Sequence, residues 1–237
     1  MIKGQLIVSK KMEKHRPLIV ATISDTDVAP SKVSQMAYAD VIELRVDLFE
    51  DSKSQHIKDA FQRARSLFGK PLLGTVRDPS EGGNRSFKDR EIIYELIIEH
   101  CTYIDIELAF EGLINTVKNM ACQKGVKLIG SYHNFTKTPD NATLESILKK
   151  GKSLSTDIIK IAVMALDRED LIRLLLFTYR HRQQDLITIS MGEYGFPSRV
   201  IGGLFGSLMT YGNIGLNAAP GQVEVTTLKA LIDSIYK

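Results

Sequence analysis

The chain has 237 residues, 43% hydrophobic and 25% charged, and its 31 Lys and Arg against 28 Asp and Glu leave a formal net charge of +3. This is globular composition with enough chain for a sizeable core, and the absence of Trp and of any dense Lys/Arg run argues against a nucleic-acid platform. The apolar runs are too short for a membrane span, "MIKGQLIVSKKMEKHRP" lacks the apolar core of a signal peptide, and Cys101 and Cys122 suggest free thiols, so a cytoplasmic protein is expected.

Residues 1–16 fall outside any repeat, and "GQLIVSKK" reads as a short strand or hairpin that could close the lower end of the fold. From residue 17 onward, short β-branched runs alternate with longer stretches of helical periodicity. "PLIVATI" (17–23) precedes a helix near 30–38, and "DVIELRV" (40–46) precedes one near 53–68. "PLLGTV" (71–76) and "TYIDIEL" (102–108) precede helices near 88–100 and 110–124. "VKLIGSY" (126–132) and "DIIKIAV" (157–163) precede helices near 142–153 and 168–182. In the latter helix Asp167 is a good N-cap, with acids in the first turn and arginines in the last. "DLITISM" (185–191) precedes the glycine-rich stretch 197–209, and "YGNIGL" (211–216) precedes a helix near 226–236.

Eight strand–helix pairs in a chain of this length predict an α/β fold, a (β/α)8 TIM barrel, as a single domain over 1–237. A doubly wound open sheet is the alternative, but "SDTDVAPS" after the first strand carries no glycine fingerprint. A barrel gathers function at the C-terminal ends of its strands. Unusual polar residues fall there. Glu43, Arg45 and Asp47 alternate at the end of strand two, and Arg77 and Glu81 follow strand three. Asp105 and Glu107 alternate on strand four, and His133 stands just past strand five. Lys160 interrupts the apolar strand six, Arg199 follows strand seven, and Gln222 follows strand eight. The charged strand residues would equally suit a structural salt-bridge layer. A lone histidine after a strand is commonly a cap. Jointly, these groups favour a site for an anionic substrate.

The histidines show no metal-ligand spacing, and "GKS", "IGGLFG" and the missing G-x-S-x-G leave no phosphate loop, dinucleotide fingerprint or nucleophile elbow. What remains is nucleophilic and acid–base chemistry. Burial among apolar neighbours makes a lysine amine easier to deprotonate. A neutral amine condenses with a ketone to an imine, whose protonated form acidifies the neighbouring C–H. A histidine can then remove that proton. Lys160 and His133 sit on adjacent strands, and Glu81 is placed to orient the imidazole.

"IELRVD", Arg77 to Gly83 (R-x-x-x-E-G-G), "SYHNF", "IKIAVM", "ISM" with Arg199, and "APGQ" occur in this order at barrel spacing. From about residue 17 to its end the chain resembles the type I 3-dehydroquinate dehydratases of the shikimate pathway. The resemblance implies that Lys160 forms an imine with the C3 ketone of 3-dehydroquinate and that His133, paired with Glu81, acts as general acid and base. It implies that Arg199 clamps the substrate carboxylate, that Glu43, Arg45 and Arg77 hold ring hydroxyls, and that Gln222 closes over the substrate. Met191 and Tyr211 would form apolar wall. It implies no cofactor or metal and allows a homodimer. Two residues depart from the family pattern: Ala218 stands where serine is common, losing a contact worth ~0.5–1.5 kcal/mol, and Tyr211 stands where phenylalanine is common. An imine-forming aldolase for a sugar phosphate, or a barrel that binds an anionic metabolite without turnover, are the competing readings.

Overall fold

The computed structural model describes residues 16–215 and 220–236. The expected "GQLIVSKK" strand and Ala218 lie outside these described residues. Eight strands, β1 (Leu18–Ile23), β2 (Val41–Arg45), β3 (Leu72–Thr75), β4 (Tyr103–Glu107), β5 (Lys127–Asn134), β6 (Ile158–Met164), β7 (Leu186–Met191) and β8 (Met209–Asn213), alternate with helices. The helices are α1 (Val33–Met36), α2 (Ser54–Phe68), α3 (Arg90–Ile97), α4 (Glu111–Lys124), α5 (Asn141–Ser153), α6 (Arg168–Arg180), α7 (Phe196–Ile201) and α8 (Val225–Ile235). All strand pairs are parallel, in the order β7-β6-β5-β4-β3-β2-β1-β8. This is a (β/α)8 barrel.

The ring closes between β7 and β8 at the parallel bridge Leu186–Ser207. Elsewhere along this seam the β7 backbone needs other acceptors, because a buried N–H without a partner is costly. Two serines supply them. Ser207 Oγ accepts the Thr188 N–H at 3.0 Å, and Ser198 Oγ accepts the Ser190 N–H at 2.9 Å.

Period-2 alternation divides each strand between two cores. Outward residues such as Ile19, Ile42, Ile104 and Ile161 join helix residues such as Phe61, Tyr94, Ile114 and Leu228 in one apolar cluster. Each such buried side chain contributes roughly 1.5–3 kcal/mol. Inward residues Val20, Val41, Leu73, Ile129, Ile158, Ile187 and Met209 fill the barrel interior in a second cluster. One inward step further along these strands come Thr22, Glu43, Thr75, Ser131 and Lys160, all buried. The polar layer therefore lies above an apolar plug, toward the C-terminal mouth.

The strand ends differ from expectation at two places that shape the site. β5 continues through Asn134, because His133 and Asn134 pair in register with Ala162 and Val163. His133 is thus an inward strand residue rather than one just past the strand. The long seventh helix is α7 followed by a 3-10 turn over Gly202–Phe205, which ends at Gly206 with φ +109°. Glycine weakens a helix and readily takes this left-handed stop. β8 consequently starts at Met209 and ends at Asn213, earlier than the expected 211–216. Near the chain start, Pro30 opens a 3-10 turn, and α1 is a single turn within the expected 30–38. Asp167 caps α6 by accepting the Asp170 N–H, as its sequence predicts.

Candidate active site

The inward alternation of β6 aims Lys160 into the barrel between Ile158 and Ala162. Its surroundings differ from those expected of an amine among apolar neighbours. Lys160 Nζ donates to Asp105 Oδ2 at 3.0 Å, and it stands 4.3 Å from the centroid of the Tyr211 ring. A carboxylate and an aromatic face, both favourable to a cation, therefore hold this buried side chain.

Asp105 is the hub of a buried network. It also accepts from Arg77 Nη2 at 2.8 Å and Ser131 Oγ at 2.5 Å. Burial alone would raise its carboxyl, but Arg77 and Lys160 prevail and hold it well below the usual range. Arg77 also meets Glu107 at 3.1 Å, and Arg90 pairs with Glu107 from the other side. Burial disfavours the charge on Arg77, but Asp105 and Glu107 outweigh it. Arg45 forms a two-pronged pair with Asp47, at 2.8 and 2.7 Å. Asp47 belongs to a 3-10 turn over Val46–Leu48, so it does not continue the strand alternation expected for it. Glu43 accepts the Thr22 and Thr75 hydroxyls, each at 2.8 Å. The salt-bridge layer foreseen as an alternative is thus present, and its members Glu43, Arg45 and Lys160 also line the cavity.

His133 is fixed by Glu81. One oxygen of that carboxyl accepts the His133 backbone N–H at 2.8 Å and lies 2.9 Å from Nδ1. With Glu81 ionised, this assigns the proton to Nδ1 and leaves the Nε2 lone pair for the cavity. Burial, then Arg77 and Lys160, push the imidazole well below its ordinary value, so it is neutral. Burial raises the Glu81 carboxyl to about 7, against the pull of Arg77. Local sequence places Glu81. Asp78 caps the 3-10 turn Pro79–Glu81, and Gly82 leaves it at φ +85°. A Cβ at Gly82 would come within 2.4 Å of the Phe135 ring, and one at Gly83 within 2.1 Å of the Arg77 carbonyl oxygen. The "EGG" triplet therefore lets the turn press against Phe135, whose ring stacks with His133 at 6.4 Å.

Arg199 on α7 is 2% exposed. Its Nη1 and Nη2 donate to the Tyr211 and Pro220 carbonyls at 3.3 and 3.1 Å, and its Nε has no partner among the described residues. Among the described residues no carboxylate faces it. Burial alone therefore pushes its pKa down to about 10. Four buried cations line the cavity, and Arg45, Arg77 and Lys160 have carboxylate partners. Arg199 does not, and an unpaired buried charge is strongly unfavourable until an anion arrives.

These groups face one cavity at the C-terminal mouth, with about 500 Å³ of space including the part open to solvent. Glu43, Arg45, Arg77, Glu81, His133, Lys160, Met191, Arg199, Tyr211 and Gln222, all named from the sequence, line it. Sequence reasoning missed Thr22, Phe135 and Ile189. Their signals were weak: Thr22 is a polar residue in inward phase with Val20, and Phe135 closes the "SYHNF" motif.

The family model "Type I 3-dehydroquinase" matches residues 17–237. A 3-dehydroquinate dehydratase of Thermodesulfovibrio yellowstonii is 41% identical over 209 residues, covering 88% of this chain and 91% of that one. The crystal structure of the Aquifex aeolicus 3-dehydroquinate dehydratase superposes with a TM-score of 0.83 at 37% identity, over 93% of this chain and 99% of that one. A type I 3-dehydroquinate dehydratase from Clostridium difficile, crystallised with covalently modified comenic acid, gives a TM-score of 0.85 at 31% identity over 94% of each chain. Barrel, cavity and relatives agree, and the chain belongs to the type I 3-dehydroquinases.

Proposed function

We propose that this chain converts 3-dehydroquinate to 3-dehydroshikimate and water through an imine on Lys160. One observation carries the reading. A lysine amine, a carboxylate-held imidazole and an uncompensated guanidinium open onto one cavity. Arg199 takes the substrate carboxylate as its missing counter-ion, in two parallel hydrogen bonds that a planar fork can make. Gln222, Glu43, Arg45 and Arg77 surround the ring hydroxyls, and Met191 supports the ring carbons.

The Lys160 ammonium gives up a proton, the amine adds to the C3 carbonyl, and return of that proton to the carbinolamine hydroxyl lets water leave, giving the protonated imine. Asp105 and the Tyr211 ring face then stabilise the cation that this step leaves in place of the ammonium. His133 Nε2 takes the C2 proton while the C2–H electrons move toward the imine. The resulting enamine expels the C1 hydroxyl, and His133 returns its proton to it, so that water departs. Hydrolysis of the imine frees the enone and the lysine. The pairing with Glu81 stabilises the imidazolium in between. The covalently modified comenic acid held by the Clostridium difficile relative is in keeping with covalent chemistry in such a site. The direct test is the ultraviolet absorbance of the conjugated enone product on adding 3-dehydroquinate. No absorbance rise with folded protein would sink the reading.

Arg199→Ala should raise KM for 3-dehydroquinate by about 10- to 100-fold, the loss of a charge-assisted pair of ~1.5–3 kcal/mol. Arg199→Lys should recover only part of it. Steady-state kinetics decide this, and an unchanged KM in Arg199→Ala would remove the anion role. A homodimer and a cytoplasmic location remain part of the proposal. Ile172, Leu176 and Tyr179 form an exposed apolar stripe on α6 that suits pairing with a second copy. Sedimentation equilibrium should give twice the chain mass, and a monomer at micromolar concentration would exclude that pairing.

A further inference from the structure

Tyr211 occupies the inward phase of β8 and is 5% exposed. Its ring lies against the Lys160 amine, as described above, but its hydroxyl has no hydrogen-bond partner among the described residues. A buried phenol left unpaired is unfavourable, and native proteins seldom keep one without use. Burial, then the charges of Glu43 and Asp105, push its pKa well above the ordinary value, so it stays a neutral donor. Glu43 is the complementary group. Its carboxylate already accepts two threonine hydroxyls but retains lone pairs, and it can only accept. An alcohol placed between the two could donate to Glu43 and accept from Tyr211.

Resting on the dehydratase reading, we propose that the Tyr211 hydroxyl is a substrate contact, donating to the ring hydroxyl beside the ketone that Lys160 attacks. Nζ stands 4.3 Å from the centroid of the ring that carries this hydroxyl, so the phenol lies within a ring's reach of the carbon that Nζ bonds. The neighbouring carbon's hydroxyl is the substrate group this geometry favours. Tyr211 is then more than apolar wall. It makes the site selective for an α-hydroxyketone, because a substrate lacking that hydroxyl leaves both Tyr211 and Glu43 unanswered.

Tyr211→Phe tests this at constant shape. KM for 3-dehydroquinate should rise about three- to tenfold, the equivalent of one neutral hydrogen bond, with a smaller change in kcat because phenylalanine keeps the ring face toward Lys160. The dissociation constant of 3-dehydroshikimate, read by thermal shift, should weaken by a similar factor. An analogue without that hydroxyl should bind wild type and variant alike. The melting temperature of the unliganded variant should equal or exceed that of the wild type, because an orphaned polar group is gone. Unchanged KM and product binding would overturn the proposal. So would a lower melting temperature of the unliganded variant, which would give the hydroxyl a partner inside the protein. Product binding needs no imine, so a wild type that binds product but forms no covalent adduct would sink the imine alone.

Discussion

Lys160→Ala should form no borohydride-stable adduct with 3-dehydroquinate and should lose turnover by about a thousandfold or more, as expected when a covalent nucleophile is removed. Wild type should give an adduct heavier by the reduced imine, carried on the peptide that contains Lys160. The effect is large because no other described lysine lines the cavity. Loss of Lys160 also leaves Asp105 with one cation fewer, so the fold must be checked. Asp105 still has Arg77 and Ser131 as donors, which should keep the network in place. Lys160→Met, which fills the same space without the amine, separates chemistry from packing. An adduct that survives either substitution would refute the imine assignment.

His133→Ala should separate the two halves of the reaction. The amine is untouched, so the adduct should still be trapped. Proton removal at C2 should slow by about 10²- to 10⁴-fold, the usual contribution of a positioned acid–base group. Single-turnover kinetics with mass spectrometry will distinguish trapped imine from released product. Normal turnover in this variant would remove His133 from the proton-transfer role. The pair also sets a pH limb. As pH falls through about 7, the Glu81 carboxyl takes up a proton and no longer accepts from Nδ1. For the free enzyme, kcat/KM should therefore fall on the acid side of about pH 7. In Glu81→Gln, whose side chain does not titrate, that limb should move or vanish.

The barrel was legible because each strand is a short β-branched run and each helix has its own period and caps. The site residues were legible for a related reason. A charged side chain in an otherwise apolar strand, as at Lys160, or two carboxylates two residues apart, as at Asp105 and Glu107, marks an inward polar layer. The glycines were informative only in part. "EGG" marked a loop, but that Gly82 makes room for Phe135 depends on a residue more than fifty positions away. Strand ends were harder. Whether His133 lies in β5 or beyond it depends on β6 continuing beside it, which no local pattern reports.

The sequence by itself determined the alternation of strands and helices, the placing of Lys160 within an apolar strand, and the chemical types gathered at one mouth. These are local matters of period, propensity and capping. The tertiary structure alone decided which charges meet. Lys160 finds Asp105 across 55 residues and His133 finds Glu81 across 52, because barrel register sets those neighbours. Among the described residues the same closure satisfies Arg45 and Arg77 with carboxylates and leaves Arg199 without one and the Tyr211 hydroxyl without a partner. Residue type cannot tell a neutralised arginine from a waiting one. That difference is set by distance, and distance is fixed only when the ring of strands has closed.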